Sequence, residues 1–241
     1  MARNSEQGTS VLESSLGVSY ETVAAANFLW SFDLLTALVR HGVRHAVVSS
    51  GSRCAPLVLA ASRVRGLRIW THPDERSAGF LGLGIGKATQ NPAALICTSG
   101  TAAANYFPAV IEANLSRTPM ILLTADRPPE LRHRGAPQTI DQIDLYGRYA
   151  LYFCDLPVPQ NGDAARSLWP EVAVNAFEIA AGFPRGPVHL NVPFREPLIL
   201  DPDYWQTLYV AFIDKASELL DLCVSVWIGD TLLILFDIQS N

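Results

Sequence analysis

The chain has 241 residues, 49% of them hydrophobic and 17% charged, with a formal net charge of −5. That is too apolar and too weakly charged for a disordered chain, and an acidic balance gives no electrostatic support to a nucleic-acid partner. The length suffices to bury a full core, as one large domain or two small ones.

Residues 1–18 are polar and rich in Gly and Ser, as expected of a flexible arm. Ser19 is expected to cap a helix that runs to about His41 and stops at Gly42. A short apolar run, 45–49, reads as a buried strand, and Gly51-Ser52-Arg53-Cys54-Ala55-Pro56 as a loop opening a second helix. Strand-like residues 67–71 precede a helical pattern over 74–90 that holds four glycines. Residues 93–98 form the next expected strand, 100–116 a helix, and 120–125 another strand. A proline-bearing loop spans 126–139, followed by a short helix near 141–146 and a strand near 150–154. Residues 163–181 are helical in pattern, and 188–192 form a last strand before the tail.

At residue 201 the composition changes. Residues 1–200 carry 17 Lys and Arg against 16 Asp and Glu, whereas 201–241 carry one Lys against seven acidic residues. No proline follows Pro202. The shift marks a boundary, so 201–241 is a tail of uncertain origin, expected as a helix over about 202–222 and a strand appended to the sheet. Its apolar stretch 222–236 is interrupted by Gly229 and Asp230, which leaves halves too short to span a bilayer, and no membrane partner is expected. Cys54, Cys97, Cys154 and Cys223 lie far apart, as free thiols in a reducing compartment would. No targeting peptide is seen in residues 1–18: the first ten lack the apolar core of a secretory signal, and Glu6 and Glu13 are out of place in a transit peptide.

Repeated strand–helix units with near-continuous apolar strands predict an α/β fold over residues 19–200, a doubly wound parallel sheet with helices on both faces. Ligands then sit at the carboxyl ends of the strands. Those ends read Gly51-Ser52-Arg53, His72-Pro73-Asp74-Glu75-Arg76, Ser99-Gly100-Thr101 and Asp126-Arg127-Pro128.

Several motifs are excluded. Gly82, Gly84, Gly86 and Lys87 lack the Walker spacing and its Ser/Thr, and small residues there let one helix pack closely on another. His41 and His45 are broken by Gly42 and have no third ligand, so no metal site is expected. No G-x-S-x-G elbow is present. Glu75 remains as either an acid–base group, its pKa raised if Phe80, Leu81 and a partner surface cover it, or a carboxylate favoured by the helix start. Arg53 and Arg127 suit a substrate with several carboxylates, or surface ion pairs such as Arg127 with Asp126 or Glu130.

Asp74-Glu75-Arg76-Ser77-Ala78-Gly79 through Gly86, with the strand that ends in Thr98-Ser99-Gly100, resembles the pyrimidine-binding (Pyr) domain of thiamine-diphosphate enzymes. Narrower strings are Gly51-Ser52-Arg53, Thr71-His72-Pro73-Asp74-Glu75-Arg76, Leu122-Leu123-Thr124-Ala125-Asp126-Arg127-Pro128-Pro129-Glu130-Leu131 and Gly135-Ala136-Pro137-Gln138. With Gly186-Pro187-Val188-His189-Leu190-Asn191-Val192-Pro193-Phe194-Arg195-Glu196-Pro197-Leu198 they resemble the 2-succinyl-5-enolpyruvyl-6-hydroxy-3-cyclohexene-1-carboxylate synthase (MenD) family of menaquinone and phylloquinone synthesis. Residues 140–144 look more like its plant and algal versions. The resemblance covers about 19–200.

The resemblance implies the following roles. Glu75 is the catalytic carboxylate that hydrogen-bonds the cofactor's aminopyrimidine and favours its imino tautomer. Ser52, Arg53, Arg127 and Gln138 bind substrate, and Ser99, Gly100 and Thr101 line the cofactor. The substrates are 2-oxoglutarate, which loses carbon dioxide, and isochorismate, which receives the remaining carbons. The cofactors are thiamine diphosphate and Mg2+, with Mn2+ possible, and the diphosphate and metal site belongs to a domain beyond this chain. Cys54 stands where the family usually has a hydroxyl residue, and Pro137 where Asn is common. The chain is shorter than full-length members, so it is expected to be inactive by itself. It would work as a homo-oligomer or paired with full-length subunits, in a plastid if from a plant or alga and in the cytoplasm if bacterial. The alternatives are a non-catalytic dimerisation or regulatory module, and the Pyr domain of another thiamine-diphosphate lyase such as acetolactate synthase.

Overall fold

The computed structural model describes residues 22–160, 167–200, 224–228 and 231–235. The chain divides into two compact units; the larger, Tyr20–Ile199, holds a six-stranded sheet, and the second holds a separate two-stranded one.

Helix α1 (Val23–His41) opens at Thr22, whose Oγ1 accepts a hydrogen bond from Ala25 N at 3.2 Å. The cap therefore falls three residues after the expected one; Ser19 lies outside the described residues, as does the arm 1–18. Gly42 ends α1 at φ 126°, a conformation that glycine adopts at little cost. By length and composition α1 could cross a membrane, but 67% of its apolar window is buried inside the protein, as in a core helix.

The chain then alternates through β1 (His45–Ser49), α2 (Ala55–Ala61), β2 (Arg68–Thr71), α3 (Glu75–Thr89) and β3 (Ala93–Cys97). It continues with α4 (Thr101–Asn105), α5 (Phe107–Ser116), β4 (Met120–Asp126), β5 (Tyr152–Asp155), α6 (Leu168–Ala181) and β6 (Pro187–Pro193). All six strands run parallel in the order β2-β1-β3-β4-β6-β5. This is the doubly wound sheet that the alternating pattern predicts.

Every residue of β3, β4 and β6 is buried, which is why these strands read as near-continuous apolar runs rather than alternating ones. On one face Val47, Leu95, Cys97 and Leu122 meet Ala78 of α3, Ala102 and Ala103 of α4, and Ala109, Val110 and Ala113 of α5. The alternating residues Ala46, Val48, Ala94, Ile96, Ile121 and Leu123 are also buried. The second cover comes from α1, α2 and α6, where Trp30 and Trp169 meet edge to face at 5.5 Å.

Three expectations are corrected. Residues 100–116 form two helices, because Pro108 cannot donate to the preceding turn and the chain breaks at Tyr106. Residues 141–146 form turns, with Asp144 at φ 49°, and the only helical piece nearby is a 3₁₀ turn, Gly147–Tyr149. In the tail, β7 (Val224–Ile228) and β8 (Thr231–Leu235) pair antiparallel with each other and add no strand to the main sheet. Two residues separate them, which suits a hairpin, whereas parallel pairing needs a long crossover. The helix expected over 202–222 lies outside the described residues, as do 163–166 at the start of the one expected over 163–181.

The glycines of α3 do what close packing requires. A Cβ at Gly82 would lie 2.6 Å from Leu95 Cδ1, and one at Gly86 would lie 2.5 Å from Pro119 O, while Gly84 meets nothing within 4 Å. Gly86→Ala should therefore lower the unfolding free energy by about 1–3 kcal/mol through overpacking. Gly84→Ala should raise it by about 0.5–1 kcal/mol, the helix-propensity gain. Urea denaturation of both variants checks the contrast, and equal effects would remove the packing explanation.

Candidate active site

From β1 the chain moves outward to β2, then returns through α3 past β1 to β3. The crevice between the carboxyl ends of β1 and β3 is therefore the topological switch point, where such sheets bind ligands. Two loops meet there without room for side chains. A Cβ at Gly51 would lie 2.6 Å from Thr98 Cβ, and one at Gly100, whose φ is +87°, would lie 3.0 Å from Gln138 O.

Glu75 is the first residue of α3. Asp74 caps that helix, its Oδ1 accepting from Ser77 N at 2.8 Å, and this bond holds the Asp74 carboxyl below its ordinary pKa. Glu75 is half-buried, and its charge acts on the thiols of Cys54 and Cys97 at the ends of β1 and β3. Cys54 Sγ accepts from Gly51 N at 3.3 Å and donates to Gly51 O at 3.2 Å, so the thiol closes the loop that carries Ser52 and Arg53. Burial raises its pKa to about 11, which keeps it neutral.

Arg53 is buried. Its Nη1 donates to Phe194 O at 2.9 Å and its Nη2 to Glu196 Oε1 at 2.7 Å. Arg127 lies across from it; burial and the charge of Arg53 lower the Arg127 pKa, and Asp126 and Glu196 oppose that shift. The Arg127 guanidinium donates to Ser99 Oγ and, at 2.8 Å, to Gln138 O. It does not form the surface ion pairs weighed above: Asp126 pairs with Arg132 at 3.0 Å, and Glu130 pairs with Arg195. Both partners are captured by cations that reach them from neighbouring loops.

Gln138 bridges the β3 end, donating from Nε2 to Ser99 O at 3.1 Å and Thr98 Oγ1 at 3.4 Å. Arg53, Arg127, Ser99, Gly100 and Gln138 are thus brought together. Ser99 and Gly100 are buried, whereas Ser52 and Thr101 are exposed on the rim. Among the described residues, no group of three His, Cys, Asp or Glu side chains is placed to hold a metal.

Several residues that hold this arrangement drew no role from the sequence. Gln142 Oε1 accepts from Gly100 N at 2.9 Å, and its Nε2 donates to Asn191 Oδ1 at 2.9 Å and Ala125 O at 3.2 Å. Asn191 Nδ2 donates to Asp126 Oδ2 and Asp155 Oδ1, each at 2.9 Å. Arg132 closes the network with two bonds to Asp155, at 2.7 and 2.9 Å. The available signal was a polar residue inside each of two apolar strands, Asn191 in β6 and Thr124 in β4. Those positions are register partners.

His189 lies beneath this network. Thr124 Oγ1 is 2.7 Å from its Nε2, Tyr146 and Phe153 pack on its ring, and Nδ1 has no hydrogen-bond partner. Burial lowers its pKa from 6.5 to about 3, so the native state holds it neutral. Its contribution is fully present above about pH 6.5 and is lost toward pH 3, because only the unfolded chain takes up the proton. Asp126, raised by burial, has the opposite sign and cannot produce that loss. Urea melts between pH 7 and 4 should show stability falling with acid, and His189→Gln should flatten that slope by up to one proton. An unchanged slope would show that His189 does not carry it.

Residues 31–145 match the family described as thiamine pyrophosphate enzyme, N-terminal TPP binding domain. The chain is 52% identical over 186 residues to 2-succinyl-5-enolpyruvyl-6-hydroxy-3-cyclohexene-1-carboxylate synthase of Geobacillus kaustophilus, covering 76% of this chain and 32% of that protein. Identity is 56% over 171 residues to the synthase of Geobacillus thermodenitrificans, covering 70% of this chain and 29% of that one. For the synthase of Chloroflexus aurantiacus it is 53% over 175 residues, covering 71% and 29%. The chain thus spans about a third of the length of the curated relatives it matches. The parallel sheet, the glycine-packed helix opened by Glu75 and these matches agree: residues 31–145 form a thiamine-pyrophosphate enzyme N-terminal TPP binding domain, similar in sequence to the corresponding part of 2-succinyl-5-enolpyruvyl-6-hydroxy-3-cyclohexene-1-carboxylate synthases.

Proposed function

We propose that this chain supplies the pyrimidine-binding half of the active site of a synthase that decarboxylates 2-oxoglutarate and adds the remaining four-carbon unit to isochorismate. The observation that carries the reading is the pair of guanidiniums, Arg53 and Arg127, gathered beside the crevice that Glu75 borders. Both substrates are dicarboxylates, and Arg is the side chain best shaped for carboxylate recognition. The names of the relatives support the same reaction.

The residues fit the pyrimidine end of thiamine diphosphate. Gly51 and Gly100 leave a cradle that a Cβ would fill, and Glu75 stands at its edge as the carboxylate available to the aminopyrimidine. Bound thiamine diphosphate supplies the carbon nucleophile and the electron sink for losing carbon dioxide from a 2-oxo acid. Glu75 would hydrogen-bond the aminopyrimidine through a carboxylate oxygen, and the neighbouring Cys54 thiol, its pKa raised to about 11 by burial, stays protonated and does not compete as a base. Ser52, Arg53, Arg127 and Gln138 orient substrate carboxylates, and Ser99, Gly100 and Thr101 line the cofactor. Mg2+, or Mn2+, and the diphosphate are held by residues of another domain. The exposed face of α3, with Arg76, Ser77, Phe80 and Gly84, meets a second subunit of the same or full-length form.

Residues 22–200, grafted in place of the matching segment of the Geobacillus kaustophilus synthase, should support turnover of 2-oxoglutarate with isochorismate in the presence of thiamine diphosphate and Mg2+. Glu75→Gln should lower kcat by about 10²–10⁴-fold, the usual value of general acid–base catalysis. The chain by itself should show no turnover. A graft that consumes pyruvate but not 2-oxoglutarate would transfer the reading to an acetolactate-synthase-type lyase. A folded graft with no activity toward either would favour a non-catalytic module.

A further inference from the structure

Arg53 is 5% exposed, yet the carboxylate on its Nη2 comes from Glu196, whose side chain is 70% exposed. Its Nη1 is held by Phe194 O, while Nε is buried and has no hydrogen-bond partner. Nε and Nη2 share one edge of the planar guanidinium, the edge that accepts both oxygens of a carboxylate. Glu196 fills half of it: Oε1 lies 2.7 Å from Nη2, and nothing bonds Nε. A buried charged donor left unpaired is costly, so the guanidinium is poised for a better-fitting anion.

Glu196 is also placed to give way. Asn27 Nδ2 donates to Arg195 O at 2.8 Å and to Pro197 O at 3.2 Å, which pins the backbone on either side of it. Its side chain alone needs to rotate into solvent. While in place, Glu196 opposes the mutual repulsion of Arg53 and Arg127.

We propose that Glu196 is a built-in placeholder for a substrate carboxylate: it neutralises Arg53 while the site is empty and is displaced by a dicarboxylate that takes both Nη2 and Nε. The proposal rests on the reading that Arg53 receives a substrate carboxylate. It makes Glu196 a specificity residue, since a ligand that offers no bidentate carboxylate gains nothing over the contact it must break.

The test is a titration of the full 241-residue chain with 2-oxoglutarate, and separately with succinate, followed by NMR at the Arg53 Nε–H resonance. Glu196→Gln should lower Kd about fivefold, the equivalent of ~1 kcal/mol and the most an exposed ion pair contributes. Arg53→Lys, which keeps the charge but loses the fork, should abolish both the binding and the gain, with a melting curve confirming that the variant is folded. Equal affinity of wild type and Glu196→Gln, both lost in Arg53→Lys, would overturn the placeholder and leave the carboxylate site standing. Binding that survives in folded Arg53→Lys, or that is absent from both wild type and Glu196→Gln, would overturn both readings.

Discussion

A carboxylate removed from water keeps its charge only where hydrogen bonds and cations replace the solvent, and Asp126 at the end of β4 is built around that requirement. Asn191, Arg132 and the backbone of Arg127 each bond it, yet burial still holds its pKa above the ordinary value. Meeting the requirement draws four segments together. Asn191 brings β6, Arg132 brings the loop after β4, Asp155 brings the edge strand β5, and Gln142 extends the same network to Gly100 after β3. The loops at the carboxyl ends of the strands are therefore branches of one polar core. Removing any member would leave a buried group without its partner, which is why such a network holds a single geometry.

Arg127 is aimed by that core. With Asp126 taken by Arg132, the Arg127 side chain is free of its neighbour in sequence and crosses to Ser99 and Gln138. Arg53 approaches from β1 and finds Phe194 and Glu196 at the end of β6. Two cations thus share one rim, with the exposed carboxylate of Glu196 bonded to Arg53 and acting on Arg127, a field suited to an anionic ligand and unfavourable to a cationic one. Across the crevice the chemistry differs. Cys54, Cys97 and Tyr106 are all buried groups whose pKa values lie above the ordinary range, so none of them is charged beside Glu75.

The legible part of the fold was the part governed by local patterns. The six strands of the main sheet and the long helices follow from apolar runs and helical spacing, and Gly42 and Asp74 act as the stop and cap their types favour. The shifts at Thr22 and Tyr106 come from capping and proline chemistry within a few residues. The turns at 141–146 were not legible, because Gln142 is fixed by partners 17, 42 and 49 residues away. The hairpin of β7 and β8 depends on which strand each one pairs with, and apolar character alone does not specify that.

The sequence by itself determined the class of fold, the position of Glu75 at the start of a glycine-packed helix, and the two arginines at strand ends. Each depends on residues near in sequence, so spacing and type suffice. Only the tertiary structure decided which carboxylate each cation meets. Arg132 takes Asp126, Arg195 takes Glu130, and Arg53 takes Glu196, which is 143 residues away. Ion pairing follows distance in space and the cost of desolvation, and both are set by how the loops at the strand ends converge.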